Sequence, residues 1–124
     1  MLSRVAESIY WMARYIERAE NVARQVDVSL QMELDAPGGM RSQWRPLVVV
    51  AGDGEFFDQK YGEFAHSASE ERQTILHFLT FDAGYSNSIL SCVTKARENA
   101  RQVRGCLSLE AWEHLNKFYH MLAS

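Results

Sequence analysis

The sequence predicts an all-α fold, a helical bundle of about five or six helices with two long antiparallel spine helices. Three observations carry this prediction. Apolar residues recur at alternating steps of three and four over residues 2–30 and again over 89–107, and a shorter stripe of the same kind follows over 112–122. Steps of three and four place side chains along one face of a helix, where a bundle buries them.

The first predicted helix has Ser3 as its N-cap and runs to about Glu33, before the turn at Pro37-Gly38-Gly39. Its apolar seam consists of Leu2, Val5, Ile9, Met12, Ile16, Ala19, Ala23, Val26 and Leu30. On roughly the opposite side, at about 100° per residue, lie Arg4, Glu7, Trp11, Arg14 and Arg18. A merely solvated face usually carries Lys, Gln and Ser, so this face is predicted to serve recognition or a structural network.

Residues 43–52 allow two interpretations. The run Val48-Val49-Val50 is typical of a strand, whereas Ser42 followed by Pro46 is typical of a helix start. We favour a helix, because an isolated strand has nothing to pair with. Asp53-Gly54 is then a turn, and Glu55 to Tyr61 is predicted as a short helix that ends at Gly62.

The second half of the chain is punctuated by serines at helix starts. Ser67-Ala68-Ser69-Glu70 is a capping box, and residues 82–87 read as a loop. A second long helix begins at about Ser88 and has Gly105 near its end, and Ser108 caps a last helix. The predicted buried positions are Ile75, Leu76, Phe78, Leu79 and Phe81 in the helix after the capping box, Ile89, Val93, Ala96, Ala100, Val103 and Leu107 in the second long helix, and Trp112, Leu115, Tyr119 and Leu122 in the last.

Composition excludes several classes of function. The 124 residues are 47% hydrophobic and carry a formal net charge of −3, which suits one globular domain over 1–124 and argues against a nucleic-acid partner. No apolar run is long enough to cross a membrane, so we expect no membrane span. Because the N-terminus also does not resemble a signal peptide, we expect a cytoplasmic location. Cys92 and Cys106 would lie about 21 Å apart on one helix, so both are expected to be reduced packing thiols.

No motif for a metal, a nucleotide or a nucleophile stands out. A di-iron bundle needs two Glu-x-x-His motifs, and the chain has one such spacing, Glu63 to His66. His114 and His120 are six apart and fall on different faces of the last helix. No phosphate-binding glycine loop and no nucleophile elbow occurs. The sequence therefore predicts no metal and no cofactor, and it leaves open whether the protein is an enzyme.

The charged residues that remain form two sets, one on each long helix. Within the first helix, Arg14 can meet Glu17 and Glu20 can meet Arg24. If the long helices pack side by side, the two sets could converge into a network with three alternative roles: purely structural, a groove that holds a carboxylate, a phosphate or a peptide end, or a surface for a partner protein. The candidate residues are Arg4, Glu7, Trp11, Arg14, Glu17, Arg18, Glu20, Arg24, Arg97, Glu98, Asn99 and Arg101.

Residues 2–24, LSRVAESIYWMARYIERAENVAR, resemble the opening L-S-R-x-A-E-x-x-Y-W-x-x-R-Y-x-E-R-A-E-x-x-A-R of the bacterial alpha-E family. Residues 88–90 and 96–101, SIL and ARENAR, are similar to its second signature, S-S-I followed by A-R-E-N-A-R. Trp44, Pro46-Leu47, Phe57 and Tyr61-Gly62 also fit. Two departures are a family length that usually exceeds this chain and a loop, residues 85–88, without the expected proline.

The resemblance implies an all-helical cytoplasmic bacterial protein. Members of this family tend to be encoded beside, or fused to, proteins that resemble ATP-grasp peptide ligases and transglutaminase-like peptidases. Such partners suggest a part in forming or processing a peptide or amide bond. We therefore expect an accessory or interaction module that binds such a partner or holds the peptide. The alternatives are a self-associating structural bundle, with a homo-oligomer as its assembly, and an enzyme that uses Glu7, Glu17 or Glu20 as acid or base, tuned by Arg14 and Arg101.

Overall fold

The computed structural model describes residues 2–35, 44–50, 52–61 and 68–124, which form six α-helices with no strand among them. The helices are α1 (Leu2–Asp35), α2 (Arg45–Val50), α3 (Gly54–Tyr61), α4 (Ala68–Thr80), α5 (Ile89–Gln102) and α6 (Leu109–Ala123), with a 3-10 turn at Arg104–Cys106 between the last two. The all-α prediction is confirmed, and the ambiguous segment around Val48 is helical.

The two long helices of the prediction, α1 and α5, pack against each other over most of the length of α5. Near the start of α1, Ser8 Oγ donates to Gln102 Oε1 at the end of α5, at 3.2 Å. Further along α1, Ala19 packs with Ile89 and Cys92 at the start of α5. The two helices are therefore antiparallel, as predicted.

The buried face of α1 is rotated away from the predicted seam. Ser8 and Ala19 are buried, whereas Ile9 is 38% exposed and Ala23 is exposed. The reason is tertiary, because α5 covers the side of α1 that carries Ser8 and Ala19, and the edge of the seam with Ala23 faces open space beside α6. The periodicity of the sequence predicted where the apolar stripe of α1 lies. It could not predict which part of that stripe a neighbouring helix covers.

Two clusters of buried side chains form the core. The first joins α2, α3 and α4 and consists of Trp44, Val48, Phe57, Ile75, Phe78, Leu79 and Tyr85. The second joins α1, α5 and α6 and consists of Ala19, Ile89, Cys92, Val93 and Leu122. Val22 of α1 packs against both clusters, so α1 connects the two halves of the core.

Serine caps begin the last two helices, which confirms the predicted helix start at about Ser88 and the predicted cap at Ser108. The Ser88 hydroxyl accepts from the Ser91 amide at 3.1 Å, and the Ser108 hydroxyl accepts from the Ala111 amide at 3.0 Å. Each bond satisfies a backbone donor that the first turn of a helix leaves open. Ser88 is fully buried, and its hydroxyl also donates to the Asp82 carbonyl at 2.8 Å.

Five local predictions need correction. The second long helix, predicted to include Leu107 and to have Gly105 near its end, ends at Gln102, so Cys106 does not lie on the same helix as Cys92. α1 begins at Leu2, so Ser3 lies inside the helix and is not its N-cap. α3 begins at Gly54, so the turn before it consists of Gly52 and Asp53. The φ of Gly52 is +82°, a backbone conformation that suits glycine. Phe81 is 46% exposed because α4 ends at Thr80. Cys106 is exposed in the 3-10 turn and is not a packing thiol. The predicted features that lie outside the described residues are the start at Ser42, the turn after Asp35, the cap at Ser67, the helix end at Gly62, and the Glu63–His66 spacing.

Candidate functional site

The polar face predicted on α1 is exposed. Arg4, Glu7, Trp11, Arg14 and Arg18 all face solvent to a large extent. Tyr10, Trp11 and Tyr15 lie beside one another on this part of the helix, with ring centroids 5.3 Å and 5.9 Å apart for the two successive pairs. The surface therefore combines cations with accessible aromatic rings.

The predicted ion pairs within α1 are only partly present. Arg14 and Glu17 approach to 3.7 Å, with side chains 45% and 61% exposed, so the pair contributes little to stability. Among the described residues no ion pair joins Glu20 to Arg24, because Arg24 donates to Asn21 instead. Glu7, Glu17 and Glu20, which the enzyme hypothesis places in a closed polar pocket, are all exposed in the part of the chain that the structure describes.

The charged residues of α5 do not converge with those of α1, because Arg97 faces α6. Its Nε donates to Asn116 Oδ1 at 2.8 Å, and its Cζ lies 4.5 Å from the centroid of Tyr119 and 5.8 Å from that of Trp112. A guanidinium between two aromatic rings is held by cation–π attraction as well as by its hydrogen bond. Arg97 thus fastens α5 to α6.

The other candidates on α5 lie near its outer surface. Asn99 donates to the Lys95 carbonyl one turn back at 2.9 Å. Glu98 and Arg101 are exposed and border a shallow depression together with Gln102. Among the described residues, no hydrogen bond or ion pair between side chains joins the candidates of α5 to those of α1.

An open groove of about 490 Å³ lies between α1 and α6, over the start of α5. We call it the apolar groove. It is lined almost wholly by apolar side chains, and its two polar residues are Glu20 and His114. The lining residues are Ile16, Ala19, Glu20, Ala23, Ile89, Val93, Ala111, His114, Leu115, Phe118 and Leu122. The sequence predicted most of these apolar positions as core. Four of them are buried, namely Ala19, Ile89, Val93 and Leu122, whereas Ala23 is exposed, as are Ala111 and Phe118, which were not predicted as core.

The edges of the apolar groove are more acidic than basic. By helical spacing, exposed Asp27 follows Ala23 by one turn, and exposed Glu110 precedes His114 by one turn. Two cations also lie one turn from a lining residue, namely Lys117 on α6 and Arg24 on α1. Arg24 donates a hydrogen bond to Asn21. Exposed Met121 extends the apolar surface along α6.

A second concavity of about 490 Å³ lies on the other side of α1, against the loop between α4 and α5. We call it the Arg18 cleft. Its polar lining consists of Arg18, Asn21, Gln25 and Asn87, and its apolar lining consists of Val22, Leu79 and the ring of Tyr85. Of the twelve predicted site residues, Arg18 alone lines it.

A buried carboxylate that the sequence analysis missed holds the α4–α5 loop to α3. Asp82 is 5% exposed and accepts from Lys60 Nζ at 2.8 Å, Tyr61 Oη at 2.7 Å and the Gly84 amide at 2.8 Å. We call these residues the Asp82 cluster. A Cβ at position 84 would lie 2.7 Å from Lys60 Nζ and 3.2 Å from Asp82 Oδ1, so a larger residue there would displace the lysine tip from the carboxylate.

Electrostatics agree with this arrangement. Burial by itself raises the pKa of Asp82, but the hydrogen bonds from Lys60, Tyr61 and the Gly84 amide outweigh it and hold the pKa below the ordinary 3.8. Burial, and then the hydrogen bond to Asp82, raise the pKa of Tyr61 to about 12. Only the Asp-x-Gly spacing, typical of a turn, could have indicated the cluster, and it does not identify Lys60.

The wall of the Arg18 cleft is fixed by a second carboxylate. Tyr85 Oη donates to Asp53 Oδ2, and Asn87 Nδ2 donates to the same oxygen at 3.5 Å. The Tyr85 ring stacks on Phe78 with centroids 4.0 Å apart. Burial and the bond to Asp53 raise the pKa of Tyr85, so its phenol stays protonated and continues to donate.

The described residues contain no group of three His, Cys, Asp or Glu side chains placed to hold a metal ion. None of the helices that the structure describes is both long and apolar enough to cross a membrane. Burial raises the pKa of the Cys92 thiol, so the reactive thiolate is disfavoured there.

The comparisons with known proteins give one match. No curated protein and no solved structure matches the chain. A family model described as "a predicted alpha-helical domain with a conserved ER motif", the alpha-E domain, matches residues 1–124. The Glu-Arg dipeptide occurs at 17–18, where Arg18 lines the cleft, and at 71–72, where Arg72 donates to Glu33 at 2.7 Å. The chain therefore belongs to the alpha-E family.

Proposed function

We propose that this domain is an accessory module that binds one amphipathic helix of a partner protein in the apolar groove. The observation that carries the proposal is an open groove between two helices whose lining is almost wholly apolar and includes exposed Phe118, with exposed Met121 beside it. Amphipathic helices bind such grooves by burying a stripe of apolar side chains. Binding a partner helix in this groove does not depend on a nucleophile, a metal ion or a nucleotide.

The acidic edges of the groove favour a partner helix that carries lysines or arginines beside its apolar stripe. The edges of the groove carry three acids, Glu20, Asp27 and Glu110, against the two cations Lys117 and Arg24, and the chain has a net charge of −3. A second copy of this chain would bring the same acidic edges together, and like charges across an interface oppose association. A partner of opposite charge is therefore the better occupant.

The resemblance in sequence, and not the geometry, supports the identity of this partner. Proteins that resemble the alpha-E family are associated with ATP-grasp-type ligases and transglutaminase-like peptidases. We propose that the partner is such a ligase and that the module takes part in forming or processing a peptide or amide bond.

The groove is tested with two synthetic amphipathic peptides that share a leucine stripe and carry either lysines or glutamates beside it. We expect the lysine peptide to bind about tenfold more tightly by fluorescence anisotropy. Ala23→Glu, which places a charge in the groove, should abolish this binding, because burying an unpaired charge is costly. Ala6→Glu, at an exposed position of α1 outside the groove, is the matched control.

Two outcomes would overturn the proposal. One is equal binding to the wild type and to Ala23→Glu. The other is a dimer in analytical ultracentrifugation that Ala23→Glu dissociates, which would assign the groove to a second copy. The partner is tested by co-expression with an ATP-grasp-type ligase. Loss of co-purification in Ala23→Glu, but not in Ala6→Glu, would support it.

A further inference from the structure

The Arg18 cleft contains a cation that no carboxylate of the described residues pairs. The nearest acids along α1 are otherwise placed, since Glu17 pairs with Arg14 and Glu20 lies in the apolar groove on the other side of the helix. Asp53, behind the cleft wall, accepts from Tyr85 and Asn87. Arg18 therefore presents an uncompensated guanidinium to the cleft.

A second cation contacts the same ring as Arg18, although it lies outside the residues that line the cleft. Arg18 Cζ and Lys95 Nζ each lie 5.5 Å from the centroid of the Tyr15 ring. The described residues place no acid in an ion pair with either cation. An anion bound beside Arg18 would therefore not compete with a carboxylate of the described residues for the guanidinium.

The amide side chains of the cleft offer both kinds of hydrogen-bonding group. Asn21 Oδ1 accepts from Arg24, which leaves its Nδ2 as a donor. Asn87 Nδ2 donates to Asp53, which leaves its Oδ1 as an acceptor. Gln25, also in the lining, has both groups. A peptide group needs one donor and one acceptor, so this lining matches it.

The cleft is also preorganised and apolar at its floor. Tyr85 is held by stacking on Phe78 and by its bond to Asp53, so the loop wall does not have to be ordered on binding. Val22 and Leu79 lie between the polar groups. A volume of about 490 Å³ falls in the range of small-ligand pockets.

We propose that the Arg18 cleft binds the carboxyl-terminal end of a peptide. Arg18 takes the terminal carboxylate through its planar pair of N–H donors, and Asn21, Gln25 and Asn87 take the preceding peptide groups. The site is independent of the apolar groove, which lies on the opposite side of α1. Together the two sites would let one helix hold a peptide and a partner at the same time.

The proposal is tested by calorimetry and by NMR with N-acetyl-alanyl-alanine as the probe. The matched probes are the same compound with an amidated C-terminus and inorganic phosphate. We expect the free acid to bind at least about tenfold more tightly than the amide, because a charge-assisted hydrogen bond is lost with the carboxylate. Resonances of Gln25 and Asn87 should shift with the free acid.

Variants locate the site. Arg18→Gln should weaken the free acid about tenfold or more, while Arg14→Gln, an exposed arginine one turn away outside the cleft, should not. Ala23→Glu should leave binding of the peptide acid unchanged. The proposal for the apolar groove and the proposal for the Arg18 cleft can therefore fail independently of each other. Equal binding of acid and amide, stronger binding of phosphate, no effect of Arg18→Gln, or no binding at millimolar probe would each overturn the proposal.

Discussion

At the scale of the residue, Asp82 decides how the α4–α5 loop lies. One buried carboxylate receives a lysine, a phenol and a backbone amide, and Ser88, which caps α5, donates to the carbonyl of the same residue. The start of α5 and one wall of the Arg18 cleft depend on this loop. A residue with no predicted role therefore positions the site.

Asp82→Asn should lower the free energy of unfolding by about 2 kcal/mol, because it removes hydrogen bonds to a charged group that is buried. The contribution of Lys60 to this loss is small, because its side chain is 40% exposed and water screens its charge. Asp58→Asn is the control, since the Asp58 carboxylate pairs with Arg45 at 49% exposure, and it should change stability by less than about 0.5 kcal/mol. Urea denaturation measures both, and equal effects would contradict the role of Asp82.

The wild type and Asp82→Asn should also differ in how their stability depends on pH. The folded pKa of Asp82 lies below its ordinary 3.8, so its bonds stabilise the fold fully above that pH and are lost as the pH falls through the folded pKa. The stability difference between wild type and Asp82→Asn should therefore be constant near neutrality and shrink below pH 3.8. A difference that grows in acid would show that the sign is wrong.

The two cysteines should differ in reactivity. Cys92 is fully buried and burial raises its pKa, whereas Cys106 is exposed. In the native protein a thiol reagent should modify one cysteine rapidly, and mass spectrometry should place the label on Cys106. Cys106→Ser should abolish the rapid phase, and rapid labelling of Cys92 would contradict the burial.

At the scale of the element, the joint between α5 and α6 depends on Arg97. The sequence analysis placed this residue in a network with α1, yet its contacts are Trp112, Asn116 and Tyr119 of α6. Helical periodicity indicates which residues share a face and not which neighbour that face meets. The serine caps of α5 and α6 were predictable because a cap is satisfied within its own first turn.

Arg97→Gln should destabilise the protein by about 1 kcal/mol, because it removes the cation–π contacts and the bond to Asn116. Arg101→Gln, one turn later and exposed, should have an effect of less than about 0.5 kcal/mol. Thermal denaturation followed by circular dichroism compares the two. Equal losses would mean that Arg97 does not join the helices.

At the scale of the whole molecule, α5 is the central helix. It packs on α1, α4 and α6 and carries six of the buried residues. α2 is six residues long, with Val48 as its buried member. The membership of Val22 in both core clusters makes α1 the connection between the halves.

Native-state hydrogen exchange should therefore show a gradient. Amides in the middle of α5, from Cys92 to Ala100, should be the slowest to exchange, and those of α2 should be among the fastest, because local opening is easiest where few apolar contacts must break. Val22→Ala should accelerate exchange in α4 and in α5 together. Acceleration in one half alone would show that α1 does not couple the two clusters.

The sequence by itself determined the helices, most of their bounds, the caps at Ser88 and Ser108, and membership in the alpha-E family. These features depend on periodicity, capping and turn residues within a few positions of one another. It also identified Arg18 as a candidate, though not the cleft that Arg18 lines.

Only the tertiary structure decided which side of α1 is buried, which helix Arg97 meets, and which residues surround Arg18 and Asp82. Each of these depends on residues far apart in the chain, such as Lys60 with Asp82, Asp53 with Tyr85, and Arg18 with Asn87. The rotation of the buried face of α1 has the same cause. A helical pattern defines an apolar stripe, but the neighbouring helices determine how much of that stripe is covered and how much is left open as a groove.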